Sequence, residues 1–106
     1  MTTETVVYRI VTENEWTALE TDGVLPLSAL DERDGFVHLS TRDTVLETAN
    51  LYYCQYETIR VLQMKVPSLG APLRFEPVRA RNGALFPHYY GGALSSAVIE
   101  ESLWLH

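Results

Sequence analysis

The sequence predicts a small α+β domain whose strands are mostly antiparallel, with two helices early in the chain. Two observations lead to this class. Helix signals are confined to the first half of the chain, and the strand-like segments of the second half do not alternate regularly with helices. The length of 106 residues suits one domain that spans residues 1–106.

The first strand and the first helix follow each other directly. Residues Thr5–Val11 are rich in β-branched side chains, which favour an extended strand. Thr12 and Glu15 have the spacing of a capping box, in which each side chain bonds the backbone of the other. We therefore expect a helix to begin at Thr12 and to end before Gly23.

A second strand and a second helix follow. Gly35–Ser40 alternates so that Phe36, His38 and Ser40 share one face of a strand. The apolar stripe of residues 42–53 then predicts a helix.

The second half of the chain predicts strands. Thr58–Val66 is rich in branched residues and is followed by a turn at Pro67–Pro72. Shorter strands are expected at Leu73–Val78 and Ala84–Phe86, and a final strand at Ala97–Leu105.

Composition excludes several classes of protein. The net charge of -6 disfavours binding to duplex nucleic acid. No apolar run approaches the roughly 20 residues that span a bilayer, and no secretion signal is visible, so we expect a cytoplasmic protein without a membrane partner. The single cysteine, Cys54, cannot form an internal disulfide, and no His-x-x-x-His spacing predicts a metal site.

Positive charge is concentrated in the second half of the chain. Residues 58–99 contain five basic residues but only one acidic residue, Glu76. The guanidinium group of arginine can form paired hydrogen bonds with a phosphate or a carboxylate, so Arg74, Arg79 and Arg81 are candidates for an anion site. The alternative is solvated charge on edge strands, which prevents aggregation. Glu76 itself is either a catalytic carboxylate or an ion-pair partner of a neighbouring arginine.

His38 and Ser40 are candidates for contact with a ligand. They share a strand face, and the next helix begins close by, where its dipole favours negative charge. The alternative for His38 is a hydrogen-bonded core residue.

The segment Phe86–Gly92 is the second candidate. Pro87 predicts a bend in the chain, and the two glycines allow close backbone approach or positive φ. His88, Tyr89 and Tyr90 can stack on a planar ring and donate hydrogen bonds, or they form a well-packed aromatic turn.

Four strings of residues resemble a known family. They are Tyr8–Val11 with Trp16, Asp34–Thr41, Leu73–Pro77 and Ala84–Gly91, which occur in order over almost the whole chain. Together they identify the chain as similar to the domain-of-unknown-function 952 family, a small and mostly bacterial family.

This resemblance implies a fold and a ligand. The resemblance implies the split-sheet fold of ADP-ribosyltransferases, which include RNA 2′-phosphotransferases and hold NAD or an ADP-ribosylated intermediate in a cleft. By the resemblance, His38 holds a ribose hydroxyl, Ser40 supports the strand end, and Phe86, Tyr89 or Tyr90 stacks on nicotinamide. The late glutamate motif of arginine-directed transferases has no match around Glu100 and Glu101, which argues against that activity.

The enzyme hypothesis is transfer of an ADP-ribosyl or phosphoryl group, with NAD as a substrate and no metal. The alternatives are a non-catalytic module that binds a nucleotide or small anion, and an interaction domain that forms a homodimer. The candidate catalytic residues are His38, Ser40, Glu76 and His88, and the candidate ligand-binding residues are Arg74, Arg79, Arg81, Phe86, Tyr89 and Tyr90.

Overall fold

The computed structural model describes residues 5–105, which form two three-stranded antiparallel sheets and four helices. The strands are β1 (Val6–Thr12), β2 (Val37–His38), β3 (Ile59–Lys65), β4 (Leu73–Val78), β5 (Ala84–Tyr89) and β6 (Ile99–Leu105). The helices are α1 (Glu13–Asp22), α2 (Ala29–Asp34), α3 (Val45–Tyr52) and α4 (Val66–Leu69). The strand order is β1-β3-β6 in one sheet and β2-β5-β4 in the other. The predicted α+β class is confirmed.

Helix α2 corrects the prediction of only two helices early in the chain. Ser28 caps it, and the N3 residue that completes the capping box is Asp31 rather than the usual glutamate. Gly35 ends the helix in the left-handed region, with φ at 82°. The Asp34–Gly35 pair is thus a helix end. Six residues are too few to show an apolar periodicity, so only the caps mark this helix in the sequence.

Further boundaries differ from the predictions: the second strand, predicted over Gly35–Ser40, is only Val37–His38. Helix α3 begins at Val45, because residues 41–44 form a turn in which the Thr41 amide donates to the Thr44 hydroxyl at 3.0 Å. The segment after β3 forms the short helix α4 before it turns. Strand β6 begins at Ile99, after a single 3-10 turn at Ser96–Val98.

Pro87 does not bend β5, which continues to Tyr89 as the central strand of its sheet. The Leu39 amide donates to the Pro87 carbonyl at 3.1 Å, but Pro87 has no amide to donate in return. Pairing of β2 with β5 therefore stops, and Ser40 exchanges two backbone hydrogen bonds with Tyr8 of β1, at 2.7 and 2.8 Å. The chain thus passes from one sheet to the other, and this crossing joins them.

Two apolar clusters lie on opposite faces of the β1-β3-β6 sheet. The larger cluster combines residues of both sheets with α1, and its members include Val7, Leu19, Leu39, Leu62, Met64 and Leu94. The smaller cluster packs α3 against the other face through Ile10, Val45, Ala49, Ile59 and Val61. Side-chain alternation along β1 and β3 supplies both faces.

A buried ion pair connects β1 to α2 and β2. Arg9 and Asp31 are 4% and 2% exposed, and their forked contact has N–O distances of 2.8 and 3.2 Å. Arg9 Nη1 also donates to the His38 carbonyl at 2.9 Å. The Asp31 carboxylate accepts from the backbone amides of Ser28 and His38, at 3.0 and 3.1 Å. One carboxylate therefore caps a helix and fixes the position of a strand.

Replacing one member of this pair should destabilise the fold strongly. We expect Asp31→Ala to lower the free energy of unfolding by about 3–5 kcal/mol, because it leaves the Arg9 guanidinium buried without its partner. The double variant Arg9→Met/Asp31→Leu should be less destabilised than Asp31→Ala. Urea unfolding followed by circular dichroism measures both. Lys65→Ala, which breaks the exposed pair with Glu100, is the control and should match the wild type within error.

Candidate functional site

A cleft of about 630 Å³ opens where the two sheets meet. Strands β1, β2 and β5 contribute to its lining, together with α2 and the end of α3. The polar groups that line it include Arg9, His38, Ser40, Thr48, Arg81 and His88, and its aromatic lining is Tyr52, Tyr53, Tyr56 and Phe86.

The structure brings the two predicted motif segments together. His38 and His88 are paired residues on β2 and β5, and their ring centroids lie 6.0 Å apart. The Phe36 ring contacts both, stacked on His88 at 3.9 Å and tilted against His38 at 4.5 Å. Of the candidate residues, the cleft is lined by His38, Ser40, Arg81, Phe86 and His88.

The other five candidate residues do not line the cleft. Arg74 and Arg79 are exposed on β4 and on the 3-10 turn that follows it. Tyr89 lines a smaller cavity of about 290 Å³. Tyr90 is 44% exposed and contacts Glu76, which lies behind His88.

Both ring nitrogens of His38 contact carboxylates. Nδ1 lies 2.7 Å from Asp31 Oδ1, and Nε2 lies 2.9 Å from Asp34 Oδ2. Ionised carboxylates only accept hydrogen bonds, so the two contacts exist together when both ring nitrogens carry a proton. The sequence predicted His38 and Ser40 on one face of a strand, but it did not reveal these two acids because α2 was not predicted.

The charges around His38 determine the protonation of both carboxylates. Burial alone raises the pKa of Asp31, but hydrogen bonds from His38 and Arg9 and the Arg9 charge hold it well below its usual range. The hydrogen bond from Arg33, with a weaker contribution from His38, lowers the pKa of Asp34. Both carboxylates are therefore ionised at neutral pH.

His88 is oriented by a carboxylate that lies behind it. Its Nδ1 is 2.9 Å from Glu76 Oε1, which also accepts a 2.6 Å hydrogen bond from the Tyr90 hydroxyl. The hydrogen bond from Tyr90, followed by that from His88, lowers the pKa of Glu76. The hydrogen bond to Glu76 in turn raises the pKa of Tyr90. Within the described residues, Nε2 of His88 has no hydrogen-bond partner. A histidine held in this way can accept a proton at Nε2.

The glycines after Tyr90 have structural roles. A Cβ at Gly91 would overlap the Tyr89 ring, and Gly92 has φ at 85°. The sequence allowed close backbone approach or positive φ at these glycines, and the structure has the first at Gly91 and the second at Gly92. Because the Tyr89 ring also packs against the larger apolar cluster, this part of the aromatic segment is a packed turn.

Three tyrosines that line the cleft come from the last residue of α3 and from the turn that follows it. Tyr52, Tyr53 and Tyr56 fall within a stretch of five residues. This concentration of tyrosines is the signal in the sequence that indicates a ligand-contacting segment. Burial raises the pKa of Tyr53. Most of the aromatic lining therefore comes from Tyr52 and Tyr53, which the sequence placed only in a helix, and from Tyr56, which lies beyond that predicted helix.

Arg81 is the arginine of the second half that reaches the cleft. Its side chain is only 9% exposed and its guanidinium lies 4.5 Å from the centre of the Phe86 ring. Nη1 donates to the Thr48 hydroxyl at 3.1 Å, and Nη2 pairs with Glu47.

Residues 5–105 contain neither a cluster of metal-ligating side chains nor a membrane-spanning helix. Within this range, no three His, Cys, Asp or Glu side chains are grouped so that they could hold a metal ion. In the same range, no helix has the length and apolar character needed to cross a membrane.

Comparison with known proteins identifies the family. A family model described as a protein of unknown function (DUF952) matches residues 10–101. The chain belongs to the DUF952 family. It is similar to the crystal structure of protein CC0527 from Caulobacter crescentus, at 32% identity and a TM-score of 0.87, with 96% of this chain and 87% of that chain covered.

The solution NMR structure of CC0527 is also similar to this DUF952 protein, with 32% identity and a TM-score of 0.79 over 92% of this chain and 82% of that one. A search of curated proteins found no significant match.

The lowered pKa of Asp31 predicts acid destabilisation of this DUF952 protein. The folded state holds the ionised form more strongly than the unfolded chain does. The stability from this group is therefore present above the unfolded pKa of about 4, and is lost as the pH falls further. Between about pH 5 and pH 3, unfolding free energy should fall less in Asp31→Asn than in the wild type. Urea unfolding at both pH values tests this, and equal losses would contradict the assignment.

Proposed function

We propose that this DUF952 protein binds a nucleotide of the NAD or ADP-ribose type in the cleft between its two sheets. The observation that carries the proposal is that one cleft of about 630 Å³ combines a buried arginine, two histidines and several tyrosines. This volume lies within the roughly 300–1,000 Å³ of small-molecule pockets.

The lining offers a separate contact for each part of such a ligand. Tyrosine rings stack on planar bases and also donate hydrogen bonds, which suits adenine or nicotinamide. The Arg81 guanidinium matches a diphosphate. The Ser40 and Thr48 hydroxyls line the same cleft and suit the oxygens of the phosphates or riboses.

The resemblance to ADP-ribosyltransferases supports the same ligand. By that resemblance His38 holds a ribose hydroxyl and Ser40 supports the strand end, and both residues lie where the chain crosses between the sheets. Both nitrogens of His38 already contact carboxylates, so a ribose hydroxyl has to share or replace one of them. Asp34 is the replaceable partner, because its side chain is 28% exposed whereas that of Asp31 is 1% exposed.

Transfer of the ADP-ribosyl group is the chemistry proposed for this pocket. The oxygen of an acceptor hydroxyl forms a bond to ribose C1′, and the bond from C1′ to nicotinamide breaks with its electron pair going to the nicotinamide nitrogen. Nε2 of His88 accepts the hydroxyl proton, while Glu76 orients the ring from behind as a positioning residue. Phosphoryl transfer would use the same base and the same cleft.

An NMR titration with NAD tests the binding proposal. Amide shifts should concentrate at residues 38–40 and at Arg81, Phe86 and His88, because these line the cleft. Arg74 and Arg79 should not shift. We expect His88→Gln to weaken binding by about 5-fold through loss of one polar contact, and the exposed-site variant Arg42→Ala to leave it unchanged. Absence of shifts at millimolar NAD would contradict the proposal.

Release of nicotinamide then distinguishes an enzyme from a receptor. Excess protein is incubated with NAD, and free nicotinamide is quantified by chromatography, in the wild type and in His88→Gln. Release by the wild type and its loss in the variant would support catalysis. Binding without release would assign a non-catalytic nucleotide module. Sedimentation that reveals a dimer, without any binding of NAD, would favour the interaction domain instead.

A further inference from the structure

We propose that Ser40, Thr48 and Arg81 form a phosphate-binding corner of the cleft, and that Glu47 is a built-in competitor for this corner. The proposal rests on the proposed nucleotide function and assigns the part of the cleft that meets the phosphates. All three residues of the corner line the cleft. They come from the segment just after β2, from α3 and from the turn after β4, so only the folded chain assembles them.

The Arg81 guanidinium is held rigidly in place. The Phe86 ring lies 4.5 Å from it, the Tyr52 ring lies 6.0 Å from it, and the Thr48 hydroxyl accepts from Nη1 at 3.1 Å. Because the fork is already oriented, little conformational entropy is lost when it binds an anion. Arg74 and Arg79 are exposed and lack this support from the cleft.

The two hydroxyls of the corner form a chain that leaves one proton unused. Ser40 Oγ donates to Thr48 Oγ1 at 3.4 Å, and Arg81 Nη1 donates to the same oxygen. Thr48 therefore accepts twice, and none of its contacts with described residues uses its own hydroxyl proton. An oxyanion beside Arg81 can accept that proton, so a charged donor and a hydroxyl donor converge on it.

Glu47 holds the guanidinium from the solvent side. Its side chain is 66% exposed, whereas that of Arg81 is 9% exposed. The carboxylate can therefore return to water at little cost, while the arginine stays in the cleft and needs a counter-charge. A phosphate group has more acceptor oxygens than a carboxylate and can also bond the hydroxyls. It is therefore the better partner for the complete corner.

Calorimetric titrations of the full chain with four probes test this proposal: ADP-ribose, NAD, inorganic pyrophosphate and adenosine. Glu47→Gln keeps the shape of the side chain but removes its charge, and it should tighten binding of the three phosphate-bearing probes by about 3–10-fold. Thr48→Val and Arg81→Lys should weaken the same probes by about 10-fold. Adenosine, which has no phosphate, should be unaffected by all three variants.

Two controls separate these effects from changes in folding or net charge. Arg42→Ala removes one positive charge from an exposed residue outside the cleft, so any effect of net charge alone should appear in it. Urea unfolding of each variant checks the fold, and Thr48→Val provides the decisive comparison if Arg81→Lys is unstable, because valine nearly preserves the volume of threonine.

The outcomes separate this proposal from the proposed function. Binding of ADP-ribose that is insensitive to all three variants overturns the corner but leaves nucleotide binding intact. If pyrophosphate binds and responds to the three variants as predicted, the corner is supported. If, in addition, ADP-ribose and NAD bind no more tightly than pyrophosphate does, the nucleotide function is overturned. Weaker binding in Glu47→Gln overturns the role of Glu47 as a competitor. Failure of every probe to bind overturns both proposals.

Discussion

The buried carboxylate of Asp31 is the constraint on which the rest of the structure depends. It neutralises Arg9 of β1, accepts from the Ser28 amide at the start of α2, and contacts both the backbone and the ring of His38. A buried charge without partners would cost far more than any one of these contacts stabilises. Strand, helix and histidine must therefore come together in one arrangement, and that arrangement forms one side of the cleft.

The other side of the cleft depends on a missing hydrogen-bond donor. Pro87 cannot return a bond to Leu39, so β2 leaves β5 and Ser40 pairs with Tyr8. The chain crosses to the other sheet at this point, and His38 and His88 remain opposite each other at the edge of the cleft. A residue that would weaken an ordinary central strand thus has a positive function in this fold.

The two histidines differ in how many of their ring nitrogens contact a carboxylate. Carboxylates contact both nitrogens of His38, which makes it a fixed polar element of the wall. Among residues 5–105, Glu76 contacts Nδ1 of His88 and no hydrogen-bond partner contacts Nε2, so this nitrogen is open to a ligand in the cleft. The basic residues differ in a similar way, because Arg81 is stacked and buried whereas Arg74 and Arg79 face solvent. These differences arise from partners distant in the sequence.

The sequence by itself determined the elements whose signals are local. The capping box of Thr12 and Glu15, the β-branched runs of β1 and β3, and the motif histidines were all visible there. Only the tertiary structure decided which charged and aromatic groups share the cleft. Asp31 and Tyr52 reach it because α2 and α3 pack beside the sheet junction, and Glu76 stays behind His88 because β4 pairs with β5. Local patterns encode backbone conformation and burial, but proximity between distant segments depends on packing and on pairing of buried charges.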